Sequence, residues 1–268
     1  AEDFGDSFRF TNALARPLRP YLRRAYGLAD RLVCPSEYNR EVIGAYTDVR
    51  TTVVSNGVDR EKLAGFEDLE AEYRNRYDLD PPTVFMIGHV IKRKGLETFV
   101  ETAHRMPDVD FAWFGHVDRS LKGRETKRLI DEAPSNCTFT GFVDDIRGAY
   151  AAGDVFCFPT HEENEGIALL EAMAAGKPVV VRDIETFSWL DDGEACLKVG
   201  GEGAAASTAD ASGDDARGDD VEGFVEAIDS LRDADRRAEL GANAATRSEA
   251  FSLDAIADRY RSLYAELV

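Results

Sequence analysis

Two glutamates, Glu163 and Glu171, stand on either side of a helix start in the stretch that ends at Pro178. Gly166 lies in the loop between them, and Gly176 can take the left-handed conformation that ends a helix. Acidic residues near a helix start are also favoured by the helix dipole alone. The spacing by itself favours this simpler interpretation over a ligand-binding one.

A second glycine-bounded turn runs from Gly88 to Gly95 and carries the basic residues Arg93 and Lys94. It directly follows the apolar run 83–87, so it is expected to begin where a strand ends. In the acidic stretch, Asn164 is a suitable side-chain cap for the following helix.

Short apolar runs alternate with helical patterns from residue 83 onward. The predicted strands are 83–87, 109–114, 137–140, 154–158 and 179–181, and the predicted helices are 96–104, 121–132, 146–150 and 166–175. This alternation predicts an α/β domain, doubly wound around a parallel sheet covered on both faces. Ligands bind beyond the carboxyl ends of such strands, so the turn at Gly88 and the loop at Pro159 should face one crevice.

The first sixty residues repeat this pattern in a shorter form, with a strand, a helix and a strand leading to the turn 55–59. We expect residues 1–65 to be the end of an N-terminal Rossmann-like domain whose opening strands are missing. A second, complete Rossmann-like domain is expected over 66–250, with a solvated acidic insertion at 200–223. Apolar residues at helical spacing predict a final helix in 251–268 that crosses to the first domain.

Composition limits the class of protein. The 268 residues include 51 acidic and 32 basic ones, a net charge of −19, which argues against general nucleic-acid binding. An acidic, lysine-poor surface suits a halophile's cytoplasm, and an acidic mesophilic protein is the alternative. The four separated cysteines suggest reduced thiols, and no apolar run is long enough to span a bilayer. A cytoplasmic location is therefore expected.

Five stretches, in order along the chain, resemble the family 4 retaining glycosyltransferases. These enzymes have the GT-B fold, in which two Rossmann-like domains face each other across a cleft. The Glu-x7-Glu stretch with its Ala-Met-Ala tail resembles the family's signature, and Gly88–Gly95 resembles its phosphate loop. The other three are 56–59, which resembles the turn leaving the first domain, 139–143, which resembles the loop beside the nucleotide base, and 251–253 with the closing helix.

The resemblance implies a role for each matching residue. Glu163 would orient the donor sugar, Lys94 would stabilise the departing diphosphate, and Glu171 would bind the ribose hydroxyls. No metal would be required, and the donor would be the only bound small molecule besides the acceptor. The implied donor-binding residues are Gly88, His89, Arg93, Lys94, Phe142, Val143, Glu163, Gly166, Ile167, Ala168 and Glu171, with backbone N–H groups acting at 166–168.

Two positions depart from the family pattern. His89 stands where arginine is usual, so one fixed positive charge is replaced by a group whose charge depends on pH, and Arg93 could supply the charge instead. Glu165 stands where an aromatic or apolar residue is common. This second departure leaves the contact to the sugar ring, and the identity of the sugar, undetermined by the resemblance.

Residues 8–31 combine six arginines with interleaved aromatic and aliphatic side chains. One interpretation is a core-packing segment whose arginine stems cover its flank. The other is a basic face that rests on anionic lipid at the inner face of the membrane, as in relatives that glycosylate diacylglycerol-type lipids.

The expected function is therefore transfer of a hexose, with retention, from a nucleotide diphosphate sugar such as a UDP-sugar to a lipid or lipid-linked acceptor. A soluble sugar acceptor is the alternative within the same chemistry. A non-catalytic nucleotide-binding module of the same fold is a third possibility, and intact Glu163, Lys94 and Glu171 disfavour it.

Overall fold

The computed structural model describes residues 20–117, 124–200 and 214–267, and within them two parallel sheets. The smaller sheet pairs β1 (Leu32–Cys34) with β2 (Thr51–Val53). The larger has six strands in the order β5-β4-β3-β6-β7-β8, and every neighbouring pair is parallel. These strands are β3 (Thr83–Ile87), β4 (Asp110–Phe114), β5 (Cys137–Gly141), β6 (Val155–Phe158), β7 (Val179–Arg182) and β8 (Leu197–Val199). The predicted α/β class is confirmed.

The order of the six strands reverses between β3 and β6. From β3 the chain moves outward through β4 to β5, whereas from β6 it moves the other way through β7 to β8. The two central strands pair directly, with Val84 opposite Val155 and Phe85 opposite Phe156. Loops that follow such a pair diverge and leave a crevice at the carboxyl ends of the strands. The turn at Gly88 and the loop at Pro159 therefore begin side by side.

The four helices predicted between residues 96 and 175 are found close to their expected bounds, whereas the helices at 70–77 and 234–248 were not predicted. Ten α-helices lie in the described part of the chain. They are α1 (20–26), α2 (Glu37–Gly44), α3 (Glu70–Tyr77), α4 (Leu96–Arg105), α5 (Arg124–Asp131), α6 (Arg147–Ala152), α7 (Ile167–Ala174), α8 (Asp214–Ser230), α9 (Ala234–Ser248) and α10 (Leu253–Ala265).

The prediction of a solvated insertion at 200–223 is wrong for residues 214–223, because α8 begins at Asp214. The side chains of Val221, Phe224 and Ile228 from this helix are buried in the core. Gly223 lies against β8 so closely that a Cβ there would be 2.6 Å from Val199. Residues 201–213 lie outside the described residues. β8 itself was not predicted, since it is only three residues long and has Lys198 at its centre.

The core between sheet and helices is rich in aromatic rings. Phe85, Phe99, Trp113 and Phe156 are fully buried. Phe99 meets Trp113 edge to face, with ring centroids 5.0 Å apart, a geometry that adds to the free energy gained by burial. All four cysteines are free thiols, and burial raises the pKa of Cys137 and of Cys196 to about 12, so these two stay protonated and unreactive.

Helix α10 returns to the smaller sheet. Val58 and Ser252 form a parallel β-bridge, and Gly57 lies so close to the start of the helix that a Cβ there would be 2.9 Å from Ile256. At the other end, Arg31 forms an ion pair of 2.9 Å with Glu266. These contacts join the end of the chain to its first described segment. The division into domains 1–65, 66–250 and 251–268 stays a prediction.

The basic segment predicted to touch lipid lies mostly outside the described residues. Of residues 8–31, the structure describes 20–31, and 20–26 of these are helical. In the described part of the chain, no helix combines the length and the apolar character needed to cross a membrane. The lipid-surface interpretation of 8–31 stays a prediction.

Candidate functional site

The loop after β3 begins at Gly88, which is held on both sides by β4. Its N–H donates to the carbonyl of Phe114 at 3.0 Å, and its carbonyl accepts from the indole N–H of Trp113 at 2.9 Å. His89 follows as an exposed side chain, with its ring centroid 6.1 Å from that of His116. His116, which the sequence did not single out, therefore joins His89 at the mouth of the crevice.

The loops after β3 and β6 interlock at Gly95. This glycine has φ +82°, and a Cβ there would lie 2.1 Å from the carbonyl oxygen of Pro159. Two residues away, the N–H of His161 donates to the carbonyl of Arg93 at 2.9 Å. The backbone contact leaves no space for a side chain, so glycine at position 95 is what allows the two predicted site loops to meet.

Gly95→Ala is therefore expected to destabilise the fold and to displace the loop. Left-handed backbone alone costs a non-glycine residue about 1–2 kcal/mol, and the overlap with Pro159 adds to this. The free energy of unfolding, measured with urea, should fall by at least that amount. Gly44→Ala is the matched control, because a Cβ at Gly44 meets no atom within 4 Å and should leave stability unchanged or slightly raised. Equal stability of the two variants would contradict the packing argument.

The two residues predicted to be catalytic are in contact. The Lys94 ammonium donates to Oε1 of Glu163, and the Thr160 hydroxyl oxygen lies 3.3 Å from the same atom. Glu163 is buried, and its backbone carbonyl accepts from the Thr186 hydroxyl at 2.7 Å. The Lys94 ammonium also lies 5.2 Å from the centroid of the Phe158 ring. The Glu163 carboxylate and the Lys94 ammonium thus lie together in a partly enclosed space beyond the end of β6.

Two arginines fix the backbone around this pair. Arg93 donates to the carbonyl of Glu162 at 2.9 Å. Arg182, at the end of β7 and 4% exposed, donates to the carbonyl of Pro159 at 3.1 Å and forms an ion pair with Asp220 of α8. The role of Arg182 was not predicted. The signal available in the sequence was a single charged residue directly after three valines.

Helix α7 starts directly after the acidic loop that follows the carboxyl end of β6. Its cap is Gly166, at φ +87°, packed between the rings of Phe158 and Phe187. The expectation that Asn164 caps the helix is wrong, because its side-chain oxygen instead accepts from Asn39 of α2 at 2.8 Å. The first N–H groups of a helix have no partner within it, and with the dipole they favour an anion. Ile167 is exposed and Ala168 half-buried beside them.

Glu171 lies one turn further along α7 and is oriented by a tyrosine. The Tyr150 hydroxyl donates to Oε2 of Glu171 at 2.7 Å. Burial, together with the Glu171 charge, raises the pKa of Tyr150 well above its usual range, so the phenol keeps its proton and remains a donor. One carboxylate oxygen is thereby held, while Oε1 remains to accept from a ligand. Tyr150 is a further residue that the motif did not indicate.

The remaining predicted pair, Phe142 and Val143, follows the edge strand β5. Phe142 is 79% exposed, whereas Val143 is buried in the core. Only the ring of Phe142 is thus open to a ligand. Both residues lie at the same carboxyl edge of the sheet as Gly88 and Glu163, which is where the predicted roles require them. The individual roles of all these residues stay predictions.

A cavity of about 120 Å³ lies between the acidic loop and the smaller sheet's helices. One wall is formed by α1, α2 and Tyr46, and it is mainly apolar. The opposite wall is polar and includes Glu163. The lining residues are Leu22, Tyr26, Asn39, Val42, Ile43, Tyr46, Arg93, Glu162, Glu163 and Asn164. Within the described ranges, no group of three or more His, Cys, Asp or Glu residues is placed to hold a metal ion.

Comparison with curated proteins gives relatives that act on lipids. The chain is 35% identical over 204 residues to the processive diacylglycerol alpha-glucosyltransferase of Acholeplasma laidlawii, covering 74% of this chain and 61% of that protein. It is also 35% identical over 150 residues to the phosphatidyl-myo-inositol mannosyltransferase of Mycobacterium tuberculosis, covering 53% and 37%. The chain thus spans less than two thirds of the length of these relatives.

Comparison with solved structures supports the GT-B fold. The structure superposes on Anabaena HepE, solved in complex with UDP and glucose, with a TM-score of 0.74 at 18% identity, covering 92% of this chain and 67% of HepE. Sucrose-phosphate synthase from Thermosynechococcus elongatus gives a TM-score of 0.72 at 24% identity, with coverage of 89% and 58%. The profile described as "Glycosyl transferases group 1" matches residues 81–214, half of the chain. This span contains Lys94, Glu163 and Glu171, and the chain therefore belongs to the glycosyl transferases group 1 family.

Proposed function

We propose that this chain forms the donor-binding side of a retaining glycosyltransferase that moves a hexose from a UDP-sugar to a lipid or lipid-linked acceptor. The observation that carries the proposal is the contact between Lys94 and Glu163 beside the first turn of α7. A cation and a helix N-terminus there suit a diphosphate, and a carboxylate beside them suits sugar hydroxyls. Glu171, held by Tyr150, would accept from the ribose of the same nucleotide.

The reaction follows from these placements. The bond between the anomeric carbon and the diphosphate oxygen breaks, and its electron pair leaves with the diphosphate. Lys94 and the N–H groups at 166–168 stabilise the charge that grows there, so no metal ion is needed for this task. The acceptor hydroxyl forms the new bond on the same face of the sugar and passes its proton to the departing diphosphate. Glu163 holds the sugar in the orientation that exposes this face.

The cavity beside Glu163 suits the hydroxyl-bearing part of an acceptor. Leu22, Val42 and Ile43 lie on one wall and Glu163 on the other, and the exposed lining is more polar than apolar. A polar headgroup there would place its hydroxyl next to the residue proposed to orient the sugar. The two curated relatives act, by their names, on diacylglycerol and on phosphatidyl-myo-inositol, which supports a lipid for this chain as well.

We expect the chain to bind UDP in the presence of a chelator. Isothermal calorimetry with EDTA in the buffer should give a saturable heat, because the proposed phosphate contacts come from Lys94 and α7 rather than from a metal ion. UMP is the control, since it lacks the second phosphate and should bind more weakly. Binding only after addition of a divalent metal would contradict metal independence, and no binding of any nucleotide diphosphate at millimolar concentration would contradict the proposed site.

The acceptor class needs a separate assay. Transfer of labelled hexose from a UDP-sugar should be measured with diacylglycerol in mixed vesicles and with free glucose or sucrose phosphates, using the full-length protein. Label in the lipid extract is the expected result. Label found only in soluble sugar would contradict the lipid acceptor and support the soluble-sugar alternative. It would not contradict the proposed donor site.

A further inference from the structure

The acidic loop contains a second buried carboxylate, Glu165, which the proposed chemistry does not use. It is 6% exposed. Oε1 of Glu165 accepts from the Ser55 hydroxyl, and Oε2 accepts from the side-chain amide of Asn56 at 2.6 Å. The backbone N–H of Asn56 lies between the two oxygens, at 3.2 and 3.1 Å. Every one of these donors comes from a single turn more than a hundred residues earlier in the chain.

The buried position of the Glu165 carboxylate is unusual among the acidic residues of this chain. The sequence has 51 acidic residues, yet among the acids whose side chains the structure describes, Glu163 and Glu165 are the two that are buried. Removal of a carboxylate from water costs free energy unless hydrogen bonds replace the lost hydration. Three donors, two of them from Asn56, meet that requirement for Glu165. The contact is therefore specific, since an apolar side chain at position 165 would leave the same donors without an acceptor.

Consecutive residues of the loop bind to different parts of the molecule. Glu163 contacts Lys94 within the larger sheet's own loops. The carbonyl of Asn164 accepts from the Ser36 hydroxyl at 2.6 Å, at the start of α2. Glu165 binds the turn that follows β2. Gly166 then caps α7. The backbone that presents Glu163 and the first N–H groups of α7 is thus fixed from the side of the smaller sheet.

We propose that Glu165 is a positioning residue, which holds the loop 163–166 on the turn formed by Ser55 and Asn56. The proposal rests on the proposed function, because the groups it positions are Glu163 and the first turn of α7. Asn164 alone stands between Glu165 and the residue proposed to orient the sugar, so a shift at position 165 moves that residue directly. Misplacement of a catalytic group by about 1 Å can cost a hundredfold in rate. Glu171 has its own support in Tyr150, so the ribose contact should survive and UDP affinity should depend on Glu165 less than kcat does.

An exchange of the two partners tests the proposal. Glu165→Gln places an amide opposite the amide of Asn56, and Asn56→Asp places two carboxylates together. Each single variant should lower kcat by about tenfold or more, with Asn56→Asp the more damaging because of charge repulsion. The double variant restores one carboxylate and one amide, with the donor and acceptor interchanged, and should return kcat to within about threefold of wild type.

Three further measurements distinguish positioning from general damage. In each single variant UDP affinity by calorimetry should fall less than kcat does, and hydrogen exchange at 163–166 should rise only in the single variants. Glu185→Gln is the control, because this exposed carboxyl faces that of Glu41 across the same boundary and should leave kcat unchanged. Single variants with wild-type kcat and exchange, or a double variant as impaired as the worse single one, would overturn the positioning role. Loss of UDP binding in the wild type would instead overturn the proposed function.

Discussion

Lys94→Ala is expected to lower kcat by about a hundredfold or more, the cost of removing other preorganised donors to a developing negative charge. The departing diphosphate gains charge in the transition state, so an adjacent cation lowers the barrier more than it strengthens binding of the ground state. UDP affinity should therefore fall less than kcat. The measurement is steady-state transfer at saturating donor and acceptor, combined with calorimetry of UDP.

The ion pair with Glu163 makes the control variants important. Loss of Lys94 also leaves a buried carboxylate without its cation, and Lys94→Arg separates the two effects because it keeps the charge. Lys92→Ala is the matched control, since its ammonium pairs with Glu97 at 3.0 Å and no role in transfer is proposed for it. We expect Lys94→Arg to lie between wild type and Lys94→Ala, and Lys92→Ala to equal wild type. A kcat for Lys94→Ala within about threefold of wild type would exclude the proposed role.

Glu163→Gln and Glu171→Ala should impair different properties of the enzyme, the first turnover and the second nucleotide binding. Glu163 is proposed to hold the sugar, so the variant should lose turnover and keep nearly normal UDP affinity. Glu171 is proposed to hold the ribose, so its loss should weaken binding of UDP itself. Hydrogen bonds to a charged group contribute about 1.5–3 kcal/mol, which corresponds to roughly ten- to a hundredfold in kcat for the first variant and in Kd for the second.

Each of these two variants is the control for the other, because both remove one carboxylate from the same loop and helix. Calorimetry with UDP and transfer assays on one preparation give the comparison. Two variants that both bind UDP as wild type does would show that the ribose assignment of Glu171 is wrong. Two variants that weaken UDP equally would show that Glu163 contacts the nucleotide rather than the sugar.

The two central strands of the larger sheet were predictable because each is an apolar run followed directly by a glycine or a proline. Thr83–Ile87 followed by Gly88, and Val155–Phe158 followed by Pro159, carry this pattern clearly. The edge strand Leu197–Val199 does not, since a lysine interrupts it. Helix α8 was not predicted because its first residues continue the Gly-, Ala- and Asp-rich composition of the preceding segment. Its apolar residues at 221, 224 and 228 were the signal for it.

The site could be located from sequence more fully than it could be explained. The resemblance to the family's motifs indicated Lys94, Glu163 and Glu171, and the fold brings the first two into contact. The supports could not be read from spacing, because their partners are distant along the chain: Tyr150 acts across 21 positions and Ser55 across 110. Asn164 was misassigned as a helix cap for the same reason, since the competing contact with Asn39 comes from another part of the fold.

The bridge between Val58 and Ser252 places two passages of the chain side by side between the sheets. The N–H of Val58 donates to the carbonyl of Phe251 at 2.8 Å, so the two passages are also bonded to each other. Two parts of a protein joined by one passage of chain can rotate relative to each other in any direction. Two adjoining passages restrict that motion to rotation about the line that joins them. Ser55 and Asn56 lie within three residues of that line. The contact of Glu165 with Ser55 and Asn56 therefore lies close to this line, where a rotation of the two sheets about it would cause the least displacement.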